Sequence, residues 1–290
     1  MKVLSCGEVL WDVFPGHRVC GGAPANFTFH ASQFGAESAM LSALGQDDLG
    51  RELKKALEGV GIQLFAAEVE APTGVSNIFV SEEGDPSYEI VDPSAWDYIQ
   101  LTDEVRQFAR ESDLICFGSL AQRHAVSRAS IREIIAIKKA DAKVLFDVNL
   151  RQNFFSHDIL ETSLKLCNIL KLNESELTVL EQTFDCPLEQ WLDHFNLNLI
   201  ILTLGERGSR IISRETISEQ PVSPCRVVDA VGAGDSFSAA FVIHYLQGAD
   251  LHSAQSFASE VAAYVCEHPG ATISLPSHLK TLSGELSHEK

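Results

Sequence analysis

Residues 143–172 read KVLFDVNLRQNFFSHDILETSLKLCNILKL. Two apolar runs of strand length, Lys143–Val148 and Ile169–Leu172, flank a helical pattern at Asp158–Leu166. A short run that is apolar at nearly every position is a strand covered on both faces, and a helix between two such runs joins parallel neighbours. The unit repeats on either side. Asp113–Gly118 and Leu199–Leu204 read as further strands, and Val126–Lys139 and Glu174–Phe184 as further helices. This alternation predicts an α/β fold with a mostly parallel sheet flanked by helices on both faces. Ligands bind such sheets beyond the carboxyl ends of the strands. That rule singles out Asn149 and Arg151, Asn173 and Glu176, and Thr203 with Gly205.

The first hundred residues are more mixed. Lys2–Cys6 and Ser38–Leu44 read as strands, and Ala23–Phe34 as a helix. Asp48–Glu58 reads as a helix stopped by Gly59 and Gly61. From about residue 63 to 98 the pattern changes. Val75–Val80 and Tyr88–Val91 are β-rich runs around Glu82-Glu83-Gly84-Asp85-Pro86, a hairpin signal. With the segment near Phe14–Cys20 they predict a small antiparallel sheet. The expected organisation is one domain over 1–290, with lid segments at about 13–20 and 63–98. The tail after Pro276 reads as peripheral.

Composition narrows the function. The 290 residues carry 22 Lys+Arg and 40 Asp+Glu, a formal net charge of −18, and 45% are hydrophobic. An acidic chain lacks the basic footprint that nucleic acids and anionic membranes require, so neither is expected as a partner. No stretch approaches 18 consecutive apolar residues, so no membrane span is expected. The start, MKVLSCGEVLWD, meets Glu8 and Asp12 too early for a signal sequence. The seven Cys, at 6, 20, 116, 167, 186, 225 and 266, are scattered without any CxxC. They read as reduced thiols of a cytoplasmic protein.

Two glycine-containing stretches carry candidate chemistry. In Val227-Val228-Asp229-Ala230-Val231-Gly232-Ala233-Gly234-Asp235-Ser236-Phe237, a strand-like pair leads through a small-residue turn into a helical pattern, Ser236–Leu246. Glycines let a ligand approach the backbone, and the N-terminus of a helix is an anion site. A carboxylate at Asp235, beside such a site, is placed to take a proton from an attacking hydroxyl. Spacing alone equally describes a Gly-rich turn with a capping Asp. A dinucleotide fingerprint fits less well, since Phe237 stands where its third glycine belongs, and no G-x-x-x-x-G-K-S/T occurs. In Gly21-Gly22-Ala23-Pro24-Ala25-Asn26-Phe27, Pro24 suits a first helical turn and Asn26 offers donor and acceptor. Asp12, at the exit of the first strand, could bridge two sugar hydroxyls or simply serve a turn.

Read together, Gly-Glu-Val-Leu-Trp-Asp at 7–12, Gly-Gly-Ala-Pro-Ala-Asn at 21–26 and Asp-Ala-Val-Gly-Ala-Gly-Asp-Ser-Phe at 229–237 resemble the two signatures of the ribokinase-like (PfkB) carbohydrate kinases. The resemblance runs from about residue 2 to 276. It includes Leu44–Gly50, Pro72-Thr73-Gly74, Asp147–Arg151, Lys171–Glu176 and Thr203–Gly208. Pro86–Val91 with Ala95-Trp96-Asp97 is most similar to the bacterial and plant fructokinases.

The resemblance implies a three-layer fold and phosphoryl transfer from ATP to a sugar hydroxyl, fructose to fructose 6-phosphate. Alternatives are a kinase for 2-keto-3-deoxygluconate or ribose, or a non-catalytic sugar or nucleotide sensor, which would not need Asp235. It implies that Asp235 is the base and that Gly232, Ala233 and Gly234 form the anion hole. Asp12, Gly22, Asn26 and Arg151 would lie at the sugar. Lys171, Asn173, Thr203, Gly205 and Gly208 would serve the nucleotide. Glu176 would lie near Mg²⁺, and Asp229 where a monovalent cation such as K⁺ can sit. Ala230 departs from the Thr common at its position. Tyr88 and Trp96 would either touch the sugar or serve only as lid core or contacts of a homodimer formed through the lid.

Overall fold

A computed structural model describes residues 1–80 and 86–281. The chain runs through β1 (Lys2–Cys6), β2 (Leu10–Phe14), β3 (His17–Gly21), α1 (Ala23–Gln33), β4 (Glu37–Gly45), α2 (Asp48–Gly59), β5 (Gln63–Val69), β6 (Val75–Val80) and β7 (Pro86–Ile90). It continues with α3 (Asp103–Glu111), β8 (Leu114–Gly118), α4 (Ala125–Ala136), β9 (Lys143–Asp147), α5 (His157–Leu166), β10 (Ile169–Asn173) and α6 (Glu174–Phe184). The last elements are α7 (Trp191–His194), β11 (Leu199–Thr203), β12 (Ser209–Ser213), β13 (Ile217–Gln220), α8 (Ala233–Leu246) and α9 (Leu251–Cys266).

The large sheet has the order β13-β12-β11-β10-β9-β8-β1-β4-β5. It is parallel from β11 to β5, and β12 and β13 add an antiparallel edge. Its strands bury both faces alternately. Ile115, Phe117, Val144, Phe146, Leu170 and Leu172 face the core beneath α3–α7. Leu114, Cys116, Leu145 and Ile169 face the opposite core, built with α1, α8 and α9. Each fully buried Leu, Ile or Phe contributes about 1.5–3 kcal/mol, so the two-sided burial is what fixes the three-layer order. α2 packs Leu53 and Leu57 on the α1 side of β4.

The small sheet has the order β3-β2-β6-β7. The outer pairs are antiparallel, as the hairpin patterns predict, but the central pair β2–β6 is parallel. The lid boundaries differ from expectation. Gln63–Val69 belongs to the large sheet, pairing with β4 across the α2 crossover. Its Phe65 and Val69 pack on one core while Leu64 and Ala66 pack on another, a pattern that the polar Gln63 and Glu68 obscure. Residues 82–85 of the expected turn lie outside the described residues, as does the side chain of Tyr88, while Pro86 opens β7. Trp96 is fully buried in the large core, with the Arg123 guanidinium 4.0 Å above its ring. It is a core residue. Over its described residues, 277–281, the tail is less peripheral than its polarity suggests, because Leu279 is buried against α9 and its neighbours.

The Leu44–Gly50 and Pro72-Thr73-Gly74 motifs turn out to clamp the chain as it enters β6. Asp47 accepts hydrogen bonds from Thr73 N at 2.9 Å, Thr73 Oγ1 at 2.6 Å and Gly50 N at 2.7 Å. These bonds hold the Asp47 carboxyl below its usual range despite partial desolvation. Among the described residues, no helix is long and apolar enough to cross a membrane.

Candidate active site

The carboxyl ends of β1, β9, β10 and β11 open toward the N-termini of α1 and α8, as the strand-end rule predicts. Val227 and Val228 form no strand; they lie in an exposed loop, 64% and 59% accessible. The helix begins at Ala233, earlier than the expected Ser236, so Gly234 and Asp235 already lie in its first turn.

Gly232 caps α8 in the left-handed region at φ 77°. A Cβ there would stand 2.6 Å from Ala271 Cβ, so only glycine fits. Its carbonyl accepts from Ser236 N at 2.8 Å, and Ala233 N donates to Ala230 O at 3.3 Å. Among the described residues the Gly234 and Asp235 amides meet no acceptor, which leaves two donors aimed out of the helix end. This is a backbone anion site with the positive end of the helix dipole behind it.

Asp235 Oδ2 accepts from Asn26 Nδ2 at 2.8 Å, joining α8 to α1. Burial, followed by the negative charge of Asp147, pushes the Asp235 carboxyl up to about 6 against the pull of Lys171, Asn26 and Arg151. A carboxylate with that value is ionised at neutral pH yet basic enough to accept a hydroxyl proton. Asn26 itself is 5% accessible.

Lys171 is buried, and its Nζ donates to Asp147 Oδ1 at 3.0 Å. Burial would lower this ammonium, but Asp147, Glu176 and Asp235 together raise it above its usual value, so it stays charged. A Cβ on Gly234 would lie 3.6 Å from Lys171 Nζ, which places the cation against the first turn of α8. A solvated strand-end charge is therefore not its role. Asp147 was missed as a site residue. The signal was an acid in one buried run opposite a lysine in the next, since Asp147 and Lys171 are register partners on β9 and β10.

Asn173 and Glu176 form a capping box at α6. Asn173 Oδ1 accepts from Glu176 N at 2.9 Å, and Glu176 Oε2 accepts from Asn173 N at 2.9 Å. Glu176 Oε1 also accepts from Leu150 N at 3.0 Å, fixing the loop after β9. In that loop Asn149 and Gln152 are held at φ 40° and 47°, a strained backbone for side-chain-bearing residues. It presents Arg151 to solvent, its guanidinium held by Leu150 O at 3.0 Å. Burial, with Lys171 opposing it, raises the Glu176 carboxyl.

Asp12 lies within β2, not at the exit of β1, in register with Val19 and Ser76. Burial pushes its carboxyl up to about 6, against a hydrogen bond from Ser76 and the charge of Arg151. Gly21 makes room for it, since a Cβ there would be 2.2 Å from Asp12 Oδ2. Gly22 caps α1 at φ 119°, where a Cβ would meet Glu8 O at 2.5 Å.

Thr203, Gly205 and Gly208 form a tight turn at the end of β11, closed by Leu204 N to Gly208 O at 2.8 Å and Gly208 N to Gly205 O at 3.0 Å. Asp229 spends both oxygens on backbone, accepting from Val231 N at 3.0 Å and Gly270 N at 2.9 Å. Asp235, Asn26, Lys171, Asp147, Glu176 and Arg151 thus form one electrostatic cluster, while the 203–208 turn and Asp229 sit on neighbouring loops.

A buried carboxyl of raised pKa, a helix N-terminus with free amides and a buried cation lie together, and phosphoryl transfer calls for groups of these kinds. Comparison with known proteins agrees with this chemistry. Residues 7–278 match the family described as pfkB family carbohydrate kinase. A sugar kinase of Pyrococcus horikoshii is 32% identical over 262 residues, covering 87% of this chain and 82% of its own. Its crystal structure in complex with ATP superposes with a TM-score of 0.81 at 28% identity, covering 93% of this chain and 94% of that one. A fructokinase of Klebsiella pneumoniae is 27% identical over 253 residues, 82% of each chain. Both signatures fall on the two helix N-termini that meet at Asn26 and Asp235, and the chain belongs to the pfkB family of carbohydrate kinases, ATP-dependent phosphotransferases with a sugar hydroxyl as acceptor.

Proposed function

We propose that the acceptor is fructose and the product fructose 6-phosphate. The observation that carries the placement of the reaction is the 2.8 Å bond between Asn26 and Asp235. It sets a side chain of the α1 end beside the group that would take the proton. The likeness to the Klebsiella fructokinase and the sequence at 86–97 are what support fructose as the acceptor.

In this reading Asp12, Gly22 and Asn26 bind the sugar, and Asp235 accepts the proton of the attacking hydroxyl. A positioned base contributes roughly 10²–10⁴-fold. The amides of the first turn of α8, behind the Gly232 cap and Ala233, take the charge of the transferred group, with Lys171 and Arg151 beside them. The turn holding Thr203, Gly205 and Gly208 contacts the nucleotide, and Asn173 shapes the loop between.

Magnesium fits this donor set in one way. Each Glu176 oxygen already accepts one amide, and each keeps a second acceptor position. Glu176 would therefore hold a hydrated ion through water, as suits a metal that keeps its waters and arrives with phosphates. When bound, the ion neutralises phosphate charge. At Asp229 each oxygen likewise accepts one amide and keeps a second acceptor position, but Ala230 adds no hydroxyl, so the side-chain donor set for a monovalent cation is thin. With no hydroxyl beside Asp229 to add to the ligands, exchanging K⁺ for Na⁺ in the assay should alter turnover less than about twofold.

The seven cysteines are all unpaired, which supports a reducing, cytoplasmic setting. The small sheet would close over the sugar and exclude water, and would pair two copies into a homodimer; light scattering tests the dimer. The sugar is tested by ADP release across a panel of acceptors. Turnover with fructose is expected. No turnover with any ketohexose refutes fructose, and preference for ribose or 2-keto-3-deoxygluconate reassigns the acceptor.

A further inference from the structure

We propose that Glu8 is a positioning residue: across one water held in a small cavity at the foot of α1, its carboxyl donates to Asp147 and keeps the Asp147–Lys171 pair against the first turn of α8. Glu8 lies in the loop where the chain leaves β1 for the small sheet. It is 2% accessible, and its Oε2 is buried with no hydrogen-bond partner among the described residues. A buried polar atom without a partner is rare enough to call for an occupant. Beside it lies a cavity of about 10 Å³, whose lining includes Glu8, Pro24, Phe27, Gly118, Asp147 and Asn149. That is room for a single water, which needs two to four polar partners. Glu8, Asp147 and Asn149, all in the lining, would supply them.

The direction of the hydrogen bonds follows from charge. Asp147 is already engaged as an acceptor by Lys171 at 3.0 Å. A second carboxylate across a single water would be repelled by it, so Glu8 enters as the donor. Burial pushes the Glu8 carboxyl up to about 7, with Asp147 and Asp235 adding to the rise and its own backbone amide and Arg151 opposing it. The groups facing it are Cys6 from β1, Cys116 from β8, Asp147 from β9, Arg151 from the following loop and Asp235 from α8. The α1 residues at the cavity, Ala23, Pro24 and Phe27, carry no charge. As pH rises through about 7, Glu8 loses its proton, the donated bond is lost, and a new negative charge faces Asp147. Lys171 then holds the phosphate end less well.

The proposal rests on ATP-dependent transfer at this site, so its test reads MgATP binding directly. Calorimetric titration of the full chain with MgATP is run from about pH 6.5 to about pH 8.5, above the Asp235 range. Linkage predicts that wild-type affinity weakens by about fivefold or more over this interval. Glu8→Gln, a donor that cannot ionise, should hold within about twofold of the low-pH value throughout. Glu8→Leu should bind about tenfold more weakly with little pH dependence. The same pH slope in Glu8→Gln as in wild type overturns the proposal, and the Gln arm stands even where the Leu variant does not fold. Wild type that binds no MgATP at any pH would instead count against the kinase reading itself.

Discussion

In the proposed reaction Asp235 has two jobs that pull its environment in opposite directions. It must be shielded enough to be a base, and it must stay near Lys171 and the α8 amides to face the transferred group. Asp235→Asn should keep sugar and MgATP binding, measured by calorimetry, while turnover falls by about 10²-fold or more. Because the carboxyl is pushed up to about 6, kcat/KM of the wild type should fall on the acid side of about pH 6, where the base is protonated. The same shift has a stability consequence. Asp235 holds its proton more tightly folded than unfolded, where an aspartate titrates at about 3.9. The folded state therefore binds more protons between about pH 4 and 6, and stability drops as pH rises through that window. Asp235→Asn removes the penalty. Its melting temperature should exceed that of wild type, by more at about pH 8 than at about pH 5. An equal gain at both values would mean that burial of the charge is not what strains the site.

At the level of elements, the N-terminus of α8 should separate a glycine needed for the fold from one needed for the proposed function. A Cβ on Gly232 would strike Ala271 at 2.6 Å, on a backbone at φ 77°. Gly232→Ala should lower the melting temperature and displace the helix end together. A Cβ on Gly234 meets nothing nearer than Lys171 Nζ at 3.6 Å. Within a helix, Ala is favoured over Gly by roughly 0.5–1 kcal/mol. Gly234→Ala should therefore melt at or above wild type and yet bind MgATP more weakly, as thermal melts and calorimetry would show. The sheet around this helix was legible in advance because β8 to β11 bury both faces, and unbroken apolar runs admit few other readings. β5 was not, since its four half-buried apolar residues, 64–67, are bracketed by the exposed Gln63 and Glu68. Nor was the parallel β2–β6 pair, because periodicity fixes which face of a strand is buried but not its neighbour. In the site, the glycines and Asp235 stood out by spacing. Asp147 and Glu8 did not: each is a single acid inside an apolar run, and only the register of β9 on β10, or the loop between two sheets, reveals what it faces.

For the whole molecule the question is how a chain of net charge −18 takes an anionic nucleotide. The donors at the site are largely backbone amides and one buried lysine, which act over a few ångströms. The bulk charge acts over the Debye length, about 30 Å at 0.01 M salt and about 8 Å at 0.15 M. At low salt the approaching MgATP feels most of the acidic surface, and its arrival is slowed. Near physiological salt that field is cut to the residues around the site, where Lys171 and Arg151 partly offset Asp235, Asp147, Glu176 and Asp12. The KM for MgATP should therefore fall as salt rises across this range, with kcat unchanged, because neither the α8 amides nor the buried Lys171–Asp147 pair is reached by bulk ions. Steady-state kinetics over a sodium chloride series would measure it. A KM that rises with salt would mean that the local cations outweigh the surface field, and that Arg151 draws the nucleotide in from solution instead of acting only on contact.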